Sequence, residues 1–206
     1  MNNTPNDKKT SVHIIGLTGG IASGKTVATT ALINAGYTVI DADEVSRALF
    51  ATGTDGERSM MLAFPKAVKD GRLDRGALRK IIAKDAGERQ KLNALTHPVI
   101  IAQIKKQISA ATPPVILSAP LLFEAELSAL CDCTVCVHCP NTERINRLTA
   151  RDGVSAEDAA SIIAAQISDD ERCTRSDYVV RSDRDIAEFT NDVIALVKRI
   201  IKNKEG

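Results

Sequence analysis

The chain has 206 residues, 44% of them hydrophobic, which is enough for an α/β domain with a sizeable core. Its 27 Lys and Arg residues nearly balance 26 Asp and Glu residues, and the net charge of +1 gives no sign of a nucleic-acid partner. No apolar run reaches the roughly 20 residues that span a bilayer. Residues 1–11 are polar, lack the apolar stretch of a secretory signal and are predicted to form a disordered tail. We therefore expect a cytoplasmic protein with reduced cysteines and no membrane partner.

The apolar pattern predicts a strand–helix–strand unit near the start. A strand is predicted at residues 12–17, a helix from Gly24 to about Ala35 that ends at Gly36, and a second strand at 37–40. Three such elements within about thirty residues predict a parallel sheet with a right-handed crossover.

The rest of the chain is predicted to alternate helical segments with three further strands. Residues 44–111 have a helical pattern throughout, with turns near Gly53 and Asp70–Gly71, and Pro98 is expected to start or kink a helix segment. The other predicted elements are strands at 114–118, 134–138 and 177–180, and helical segments at 141–175 and about 184–201.

These elements predict an α/β fold with a doubly wound, parallel, five-stranded sheet. We expect a single domain at residues 12–206, with one helical insertion at 44–111 and a second at 141–175.

Four of the five cysteines cluster at Cys131, Cys133, Cys136 and Cys139. A zinc site is one interpretation. The other, which we favour, is a strand that carries cysteines as small apolar side chains, because the thiols lie along one short segment that does not easily fold into a tetrahedron.

A phosphate-binding loop, or P-loop, follows the first predicted strand and opens the first predicted helix. The motif G-x-x-x-x-G-K-[ST] is matched by Gly19, Gly20, Ile21, Ala22, Ser23, Gly24, Lys25 and Thr26. Glycines let backbone N–H groups surround phosphate oxygens, and the helix N-terminus adds a partial positive charge. Lys25 is expected to reach the β- and γ-phosphates, and the Thr26 hydroxyl is expected to bind Mg²⁺. The motif predicts a fold of the P-loop NTPase class that binds a nucleoside triphosphate.

Other motifs narrow the class of nucleotide enzyme. The D-x-x-G and N-K-x-D tetrapeptides of GTPase switches are absent from the sequence. The predicted strand at 114–118 ends at Ser118 rather than at the aspartate that motor ATPases place there. A small kinase therefore fits best.

Two carboxylates follow the second predicted strand, at the sheet edge where open α/β folds bind ligands. Asp41 and Asp43 point to the same side if the strand continues that far. One could help to bind Mg²⁺ while the other accepts the proton of an acceptor hydroxyl. The structural alternative is a helix cap by Asp43, the aspartate before Glu44.

Arginines mark the helical segment at 141–175. Arg144, Arg147 and Arg151 are spaced as one face of a helix, and Arg172 and Arg175 follow. We interpret the segment as a mobile lid that brings guanidinium groups to ATP. The alternative is a solvated helix face.

Beyond the P-loop, an ordered set of motifs resembles the dephospho-coenzyme A kinase family over most of the chain. The matching segments are Leu17–Ile21, Val39–Asp43, Asp70–Arg75, Leu92–Pro98, Pro120–Glu124, Arg147–Gly153, Ala165–Gln166 and Asp177–Val180. The resemblance implies ATP-dependent phosphorylation of the ribose 3′-hydroxyl of dephospho-coenzyme A. It also implies three parts, namely a nucleotide-binding core, a helical coenzyme A subdomain at 44–111 and the lid at 141–175.

The resemblance also implies roles for individual residues. Asp43 matches the proposed general base, and Arg147 and Arg151 match lid positions, with Arg172 at a third basic position. The residues that fall in the acceptor-binding region are Arg75, His97, Leu122, Phe123 and Glu124. Without the resemblance, His97 would be interpreted as structural, and at least one of the apolar residues as core. Mg²⁺ is assigned to Thr26 and Asp41.

The sequence departs from the family pattern in three places. Ala22 replaces a common third glycine, Ser118 stands where some relatives have aspartate, and Arg181-Ser182-Asp183 replaces a common Asp-Asn with a following glycine.

Two alternatives remain open at this point. One is a different small-molecule P-loop kinase, such as a nucleoside monophosphate kinase or shikimate kinase, and the other is a nucleotide-binding module without catalysis. We expect a monomer or a weak homo-oligomer.

Overall fold

The computed structural model describes residues 13–205. These residues divide into two compact units, one formed by residues 13–39 and 111–205 and the other by residues 40–110. The predicted tail at 1–11 lies outside the described residues, as does the first residue of the predicted first strand.

The strands and helices up to residue 110 are β1 (Ile14–Thr18), α1 (Lys25–Asn34), β2 (Thr38–Asp41), α2 (Ala42–Leu49), α3 (Asp55–Ala63), β3 (Val68–Lys69), β4 (Arg72–Leu73), α4 (Arg75–Lys84) and α5 (Ala86–Ala110). Those that follow are β5 (Val115–Ser118), β6 (Cys133–His138), α6 (Asn141–Asp152), α7 (Ala156–Ala164), α8 (Asp169–Arg175), β7 (Tyr178–Arg181) and α9 (Ile186–Glu205). Short 3₁₀ helices span Pro65–Ala67 and Leu127–Leu130. None of the helices at 13–205 combines the length and the apolar character that a membrane span needs.

The five-stranded parallel sheet confirms the predicted fold class. Its strand order is β2-β5-β1-β6-β7, and β1 lies at the centre with β5 and β6 as parallel neighbours. Ile15 of β1 aligns with Ile116 and Cys133, and all three are buried. Strands buried on both faces are apolar throughout, which is why the pattern of the sequence located them.

Helix α1 ends as the sequence predicted. Gly36 has φ 90°, its N–H donates to Ile33, and the N–H of Tyr37 donates to Leu32. These two bonds form a Schellman motif, which needs a left-handed residue and so favours glycine.

The core of the first unit lies between the sheet, α1 and α9. Its buried members include Leu17, Leu32, Ile116, Val135, Val137, Phe189, Val193 and Ile200. The cysteines Cys133, Cys136 and Cys139 are also buried, and within residues 13–205 none of the five cysteines takes part in a disulfide. Cys133 and Cys136 are an odd number of residues apart in β6 and leave opposite faces of the strand. Burial raises the pKa of Cys131 to about 12. These observations favour apolar packing over a metal site formed by the cluster at 131–139.

The second unit has its own apolar core and corrects one prediction. Residues 68–73 form an antiparallel hairpin rather than helix, with Val68 opposite Leu73. The turn residues Asp70 and Gly71 have φ 49° and 71°. Positive φ at both positions is the type I′ geometry that Asp-Gly favours, and this local preference overrides the helical pattern around it. The core residues are Phe50, Met60, Phe64, Ala67 and Leu78, with Leu49, Ile81, Ile82, Leu92, Leu95 and Ile100 packed against them.

Pro98 lies inside the continuous helix α5. A helix start at this residue, one of the two predicted alternatives, is therefore wrong.

The segment at 141–175 contains α6, α7 and α8, in agreement with its predicted helical character. Gly153 ends α6 in the left-handed region at φ 69°. Leu148, Ala159 and Ile163 form a small core that joins α6 to α7.

Candidate functional site

The P-loop has a backbone shape suited to an anion. It connects β1 to α1, and its backbone enters the left-handed region at Ala22 (φ 60°) and at Gly24 (φ 94°). The N–H of Ser23 donates to the carbonyl of Gly20 at 3.1 Å, which closes the turn. Among the described residues, no side chain caps α1 at Gly24. The first N–H groups and the dipole of α1 therefore favour a phosphate.

The loop lysine contacts the end of a central strand. Lys25 Nζ donates to the hydroxyl of Ser118 at 2.7 Å. Ser118 is the last residue of β5 and is fully buried. Ser118, which stands where some relatives have aspartate, therefore positions the ammonium group of Lys25.

Two side chains from the predicted lid hold the backbone of Ile21. Arg144 of α6 donates from Nε to the Ile21 carbonyl at 2.9 Å, and the Ile21 N–H donates to Gln166 Oε1 at 2.8 Å. Gln166 Oε1 also accepts from Arg144 Nη2 at 3.4 Å. The backbone N–H and the backbone carbonyl of Ile21 are thus both hydrogen-bonded, one to Gln166 and the other to Arg144. These two side chains are also bonded to each other.

Arg144 is a buried cation with a matched carboxylate. It is 1% exposed, and Asp169 Oδ1 lies 3.3 Å from its Nη1. Burial lowers the pKa of Arg144, and the charge of Asp169 opposes that shift. A buried charge is tolerated when it is paired and its remaining donors are bonded, as they are here.

The second glycine of the motif makes room for this arginine. A Cβ atom on Gly20 would lie 2.4 Å from Arg144 Nη2 and 2.8 Å from Arg144 Cζ. The glycine is therefore needed for the approach of a side chain as well as for the approach of a phosphate.

Arg147 and Ser182 form a second connection to the loop. Ser182 follows β7 and is 3% exposed, and its hydroxyl donates to the carbonyl of Ser23 at 2.5 Å. Arg147 donates to the Ser182 carbonyl at 2.6 Å and to the Ala22 carbonyl at 3.4 Å. At the position where relatives commonly have asparagine, the serine therefore links P-loop, β7 and lid.

Two further arginines of the segment at 141–175, Arg151 and Arg172, differ in exposure. The Arg151 side chain is 60% exposed and forms two bonds to Asp152, at 2.7 and 2.8 Å, which raise the pKa of Arg151. Arg172 is fully buried and lies 3.4 Å from Asp169 and 3.8 Å from Glu124. Within residues 13–205, its Nε and Nη2 have no hydrogen-bond partner.

The segment at 122–124 lies beside the buried Arg172. Leu122 is fully buried, which confirms that at least one of the apolar residues in this motif belongs to the core. Phe123 is 7% exposed, and the guanidinium of Arg175 lies 4.6 Å from the centre of its ring. Glu124 is the charged partner at 3.8 Å from Arg172 Nη2.

Four further candidate residues lie in the second unit. Asp41 ends β2 and caps α2, because its Oδ1 accepts from the N–H groups of Asp43 and Glu44. The strand does not continue to Asp43, so the condition for two carboxylates in strand alternation is not met, and Asp43 is exposed in the first turn of α2.

Arg75 begins α4 and donates to the carbonyl of Phe50 at 2.5 Å. His97 is half-buried within α5.

The sequence reasoning missed three contributors to the site. Gln166 was noted only as part of a motif, Asp169 was not considered, and Ser182 was treated as an unexplained departure. Arg144 was identified by its spacing, but not its burial beneath the loop. Gln166 was the signal in the sequence that could have revealed these contacts. It lies in a segment rich in arginines, whose guanidinium groups are donors only and need an acceptor such as its side-chain oxygen.

The fold and this site define the class of P-loop kinases. A model of the dephospho-CoA kinase family matches residues 13–188. The chain belongs to this family. Because the family consists of ATP-dependent kinases, the alternative of a non-catalytic binding module is wrong.

Individual relatives agree with the assignment. The chain is 37% identical over 192 residues to the dephospho-CoA kinase of Pseudoalteromonas translucida, covering 92% of this chain and 91% of that protein. It is 41% identical over 182 residues to the dephospho-CoA kinase of Moorella thermoacetica, covering 85% and 86%. The crystal structure of TT1252 from Thermus thermophilus matches with a TM-score of 0.83 at 30% identity, covering 92% and 98%. A shikimate kinase from Bacteroides thetaiotaomicron, with a TM-score of 0.55 at 15% identity and coverage of 92% and 99%, shares the fold alone.

The contact between Gln166 and Ile21 predicts the effect of a substitution. Gln166→Leu removes the acceptor for the Ile21 N–H and for Arg144 Nη2. The free energy of unfolding should fall by about 1–3 kcal/mol, because two donors lose their partner. ATP should also bind more weakly, since the loop is no longer held. Urea denaturation and nucleotide titration measure the two effects, and Gln166→Glu, which keeps an acceptor oxygen, is the control. Wild-type stability and affinity in Gln166→Leu would contradict the assigned role.

Proposed function

We propose that this chain transfers the γ-phosphoryl group of ATP to the ribose 3′-hydroxyl of dephospho-coenzyme A, giving coenzyme A and ADP. The observation that carries the proposal is the family match over residues 13–188, together with an intact P-loop whose backbone is held by Arg144 and Gln166. This reaction is the last step of coenzyme A synthesis.

The P-loop would bind the phosphates of ATP. The N–H groups at the start of α1 face the phosphate position, and Lys25 supplies a positive charge that Ser118 orients. Charge on the transferring group is spread over its oxygens, so catalysis depends on positioning and on electrostatic stabilisation. The contacts to Ile21, Ser23 and Ala22 keep the loop in shape before the nucleotide binds, which lowers the reorganisation that the reaction requires.

Asp43 would accept the proton of the acceptor hydroxyl. It is an exposed carboxylate at the first turn of α2, and it occupies the general-base position of the family motif. The 3′-oxygen then forms a bond to the γ-phosphorus, the bond to the bridging oxygen of ADP breaks, and the hydroxyl proton passes to the carboxylate.

The lid would supply guanidinium groups to the phosphates. Arg151 is paired only with its neighbour Asp152 in the hydrogen bonds of the described residues, and its exposure allows it to exchange this partner for a phosphate. Arg147 donates to the carbonyl of Ala22 in the P-loop, which supports a role beside the phosphates that the loop would bind. Arg172 is the third basic residue of the proposal, and it is held beneath the surface by Asp169 and Glu124.

Binding of dephospho-coenzyme A is assigned to residues of the family motifs. These are Arg75, His97, Leu122, Phe123 and Glu124, with Asp43 at the reacting hydroxyl. The contacts of Glu124 with Arg172 and of Phe123 with Arg175 support a role for the 122–124 segment near the lid.

Mg²⁺ is the cofactor of the proposal. A hydroxyl at Thr26 and a carboxylate at Asp41 are hard oxygen ligands of the kind that Mg²⁺ prefers, and Thr26 is exposed in the first turn of α1. The ion would neutralise phosphate charge. We further propose a cytoplasmic protein that acts as a monomer or a weak homo-oligomer.

The substrate assignment predicts the result of an acceptor panel. ADP release from Mg-ATP, measured in a coupled assay, should be stimulated by dephospho-coenzyme A and not by AMP, CMP, adenosine or shikimate. Stimulation by another acceptor would leave the kinase class intact and overturn the coenzyme A assignment.

The role of Asp43 predicts a loss of turnover with retained ATP binding. Asp43→Asn removes the proton acceptor, and kcat should fall by about 10²–10⁴-fold. Glu44→Gln is the matched control, because it neutralises the adjacent exposed carboxylate of the same helix turn and should leave kcat unchanged. Equal kcat values for Asp43→Asn and the wild type would exclude this residue as the base.

The role of Arg151 predicts lower turnover at unchanged stability. Arg151→Ala should reduce kcat at least about tenfold, since a phosphate contact made in the transition state is lost. Arg181→Ala is the matched control, because Arg181 is 54% exposed and is likewise paired with a nearby aspartate, Asp183. Melting temperatures of both variants should equal that of the wild type. Steady-state kinetics of Arg151→Ala that match those of Arg181→Ala would contradict the proposal.

A further inference from the structure

Four potential metal ligands converge where β6 meets α8, and none of them contacts substrate in the proposed reaction. Cys136 and His138 are two residues apart in β6, so their side chains leave the same face of the strand. Asp169 and Cys173 are four residues apart in α8 and share one face of that helix. A strand and a helix thus each contribute two ligands to one space.

Three of the four ligand atoms are nearly as close as those that share a metal ion, and the fourth, Cys136 Sγ, lies next to Cys173. His138 Nδ1 lies 2.7 Å from Asp169 Oδ2 and 3.7 Å from Cys173 Sγ, and these three atoms all lie within 4.8 Å of one another. Cys173 Sγ lies 3.6 Å from Cys136 Sγ. Zinc bonds of about 2.3 Å to sulfur and about 2.0 Å to nitrogen or oxygen give tetrahedron edges of roughly 3.3–3.8 Å. Both contacts to sulfur already have such lengths, and the contact between His138 and Asp169 must open by roughly 0.6 Å.

The carboxylate of Asp169 is oriented by charges that leave one of its oxygens for the cluster. Its Oδ1 contacts Arg144 at 3.3 Å and Arg172 at 3.4 Å, whereas its Oδ2 faces His138 and accepts a long hydrogen bond of 3.4 Å from the backbone N–H of Cys139. Partners of this kind orient ligating carboxylates in known metal sites. The Asp169 side chain is 8% exposed, and these contacts hold its carboxylate in place.

The charges of the surrounding groups permit a divalent cation despite the two arginines. Arg144 and Arg172 face two carboxylates, those of Asp169 and Glu124. Cysteines bind a metal as thiolates, so a divalent ion with two thiolates adds no net charge to this group. Burial raises the pKa of both Cys136 and Cys173, and a metal ion must displace their protons, as zinc does at other cysteine ligands.

We propose that Cys136, His138, Asp169 and Cys173 form a binding site for a zinc-type divalent transition-metal ion. Thiolate and imidazole ligands select zinc over magnesium, so this site is chemically distinct from the proposed Mg²⁺ site at the phosphates. His138, Asp169 and Cys173 already lie together, and a small shift of the Cys136 thiol would complete a closed site of four protein ligands, which is typical of a structural metal. Bound metal would join α8, which carries Arg172, to the strand β6.

Cobalt(II) is the probe that tests the site directly. Titration of the reduced, full-length protein with Co²⁺, without nucleotide, should give one equivalent of thiolate-to-metal charge-transfer absorption and the visible bands of tetrahedral cobalt, both abolished by Zn²⁺. Cys173→Ala and His138→Ala should weaken Co²⁺ binding by more than about tenfold. Removing a residue that only orients a metal ligand already costs about 10–100-fold in affinity, and these two residues are ligands themselves. Cys136→Ser should reduce the charge-transfer intensity, because one thiolate is lost. Cys131→Ser is the matched control, because Cys131 is not one of the four proposed ligands. This variant should bind Co²⁺ as the wild type does.

Thermal unfolding supplies a readout that does not depend on spectra or activity. Zn²⁺ should raise the melting temperature of the wild type and of Cys131→Ser, but not that of Cys173→Ala, because a metal that binds only the folded state stabilises it. Mg²⁺, which is proposed to bind at Thr26 and Asp41, should shift all three melting temperatures equally. The proposal is overturned if Co²⁺ gives no thiolate band, if the band is undiminished in Cys173→Ala, or if Cys136 and Cys173 are joined as a disulfide in the freshly isolated protein.

Discussion

The phosphate-binding loop of this chain depends on a guanidinium group that is removed from water. Arg144 is 1% exposed and binds the carbonyl of Ile21, while Gln166 accepts the N–H of the same residue. A buried charge is costly unless its donors are satisfied, and Asp169 together with Gln166 satisfies them. This requirement fixes the distance between α6 and the loop and explains why Gly20 has no side chain. The loop is thus shaped by the lid segment as well as by its own glycines.

The arginines of α6 differ in depth and in the partners that hold them. Arg144 is buried under the loop, Arg147 is partly buried and bonded to Ser182, and Arg151 is exposed beside Asp152. Their spacing predicts that the three arginines share one side of the helix, but their exposure differs widely, from a buried Arg144 to a solvent-exposed Arg151. Arg144 and Arg147 are bonded to backbone carbonyls of the loop and of Ser182, so of these three arginines Arg151 is the one that can exchange its partner without disrupting those contacts.

Much of the fold followed from local patterns, and the exceptions have physical causes. The five strands of the parallel sheet were located within one or two residues, and the central strand β5 is an apolar run because it is buried on both faces. Gly36 ended α1 as predicted. The hairpin at 68–73 was missed because the turn preference of Asp70-Gly71 competes with a helical periodicity over a short stretch. Asp41 was correctly placed at the end of a strand. That it also caps α2 depends on the residue at which the helix begins, and helix propensity alone locates helix ends poorly.

The sequence by itself determined the phosphate loop, the order of the elements and the family, because each of these depends on residues that are close in the chain. Only the tertiary structure decided which side chains hold the loop. Gln166 and Ile21 are 145 residues apart, and Ser182 and Ser23 are 159 apart. The grouping of Cys136 and His138 with Asp169 and Cys173 likewise requires α8 to pack on β6. Contacts of this kind are created when elements pack, since the free energy that brings them together comes from burial of the whole core rather than from any local pattern.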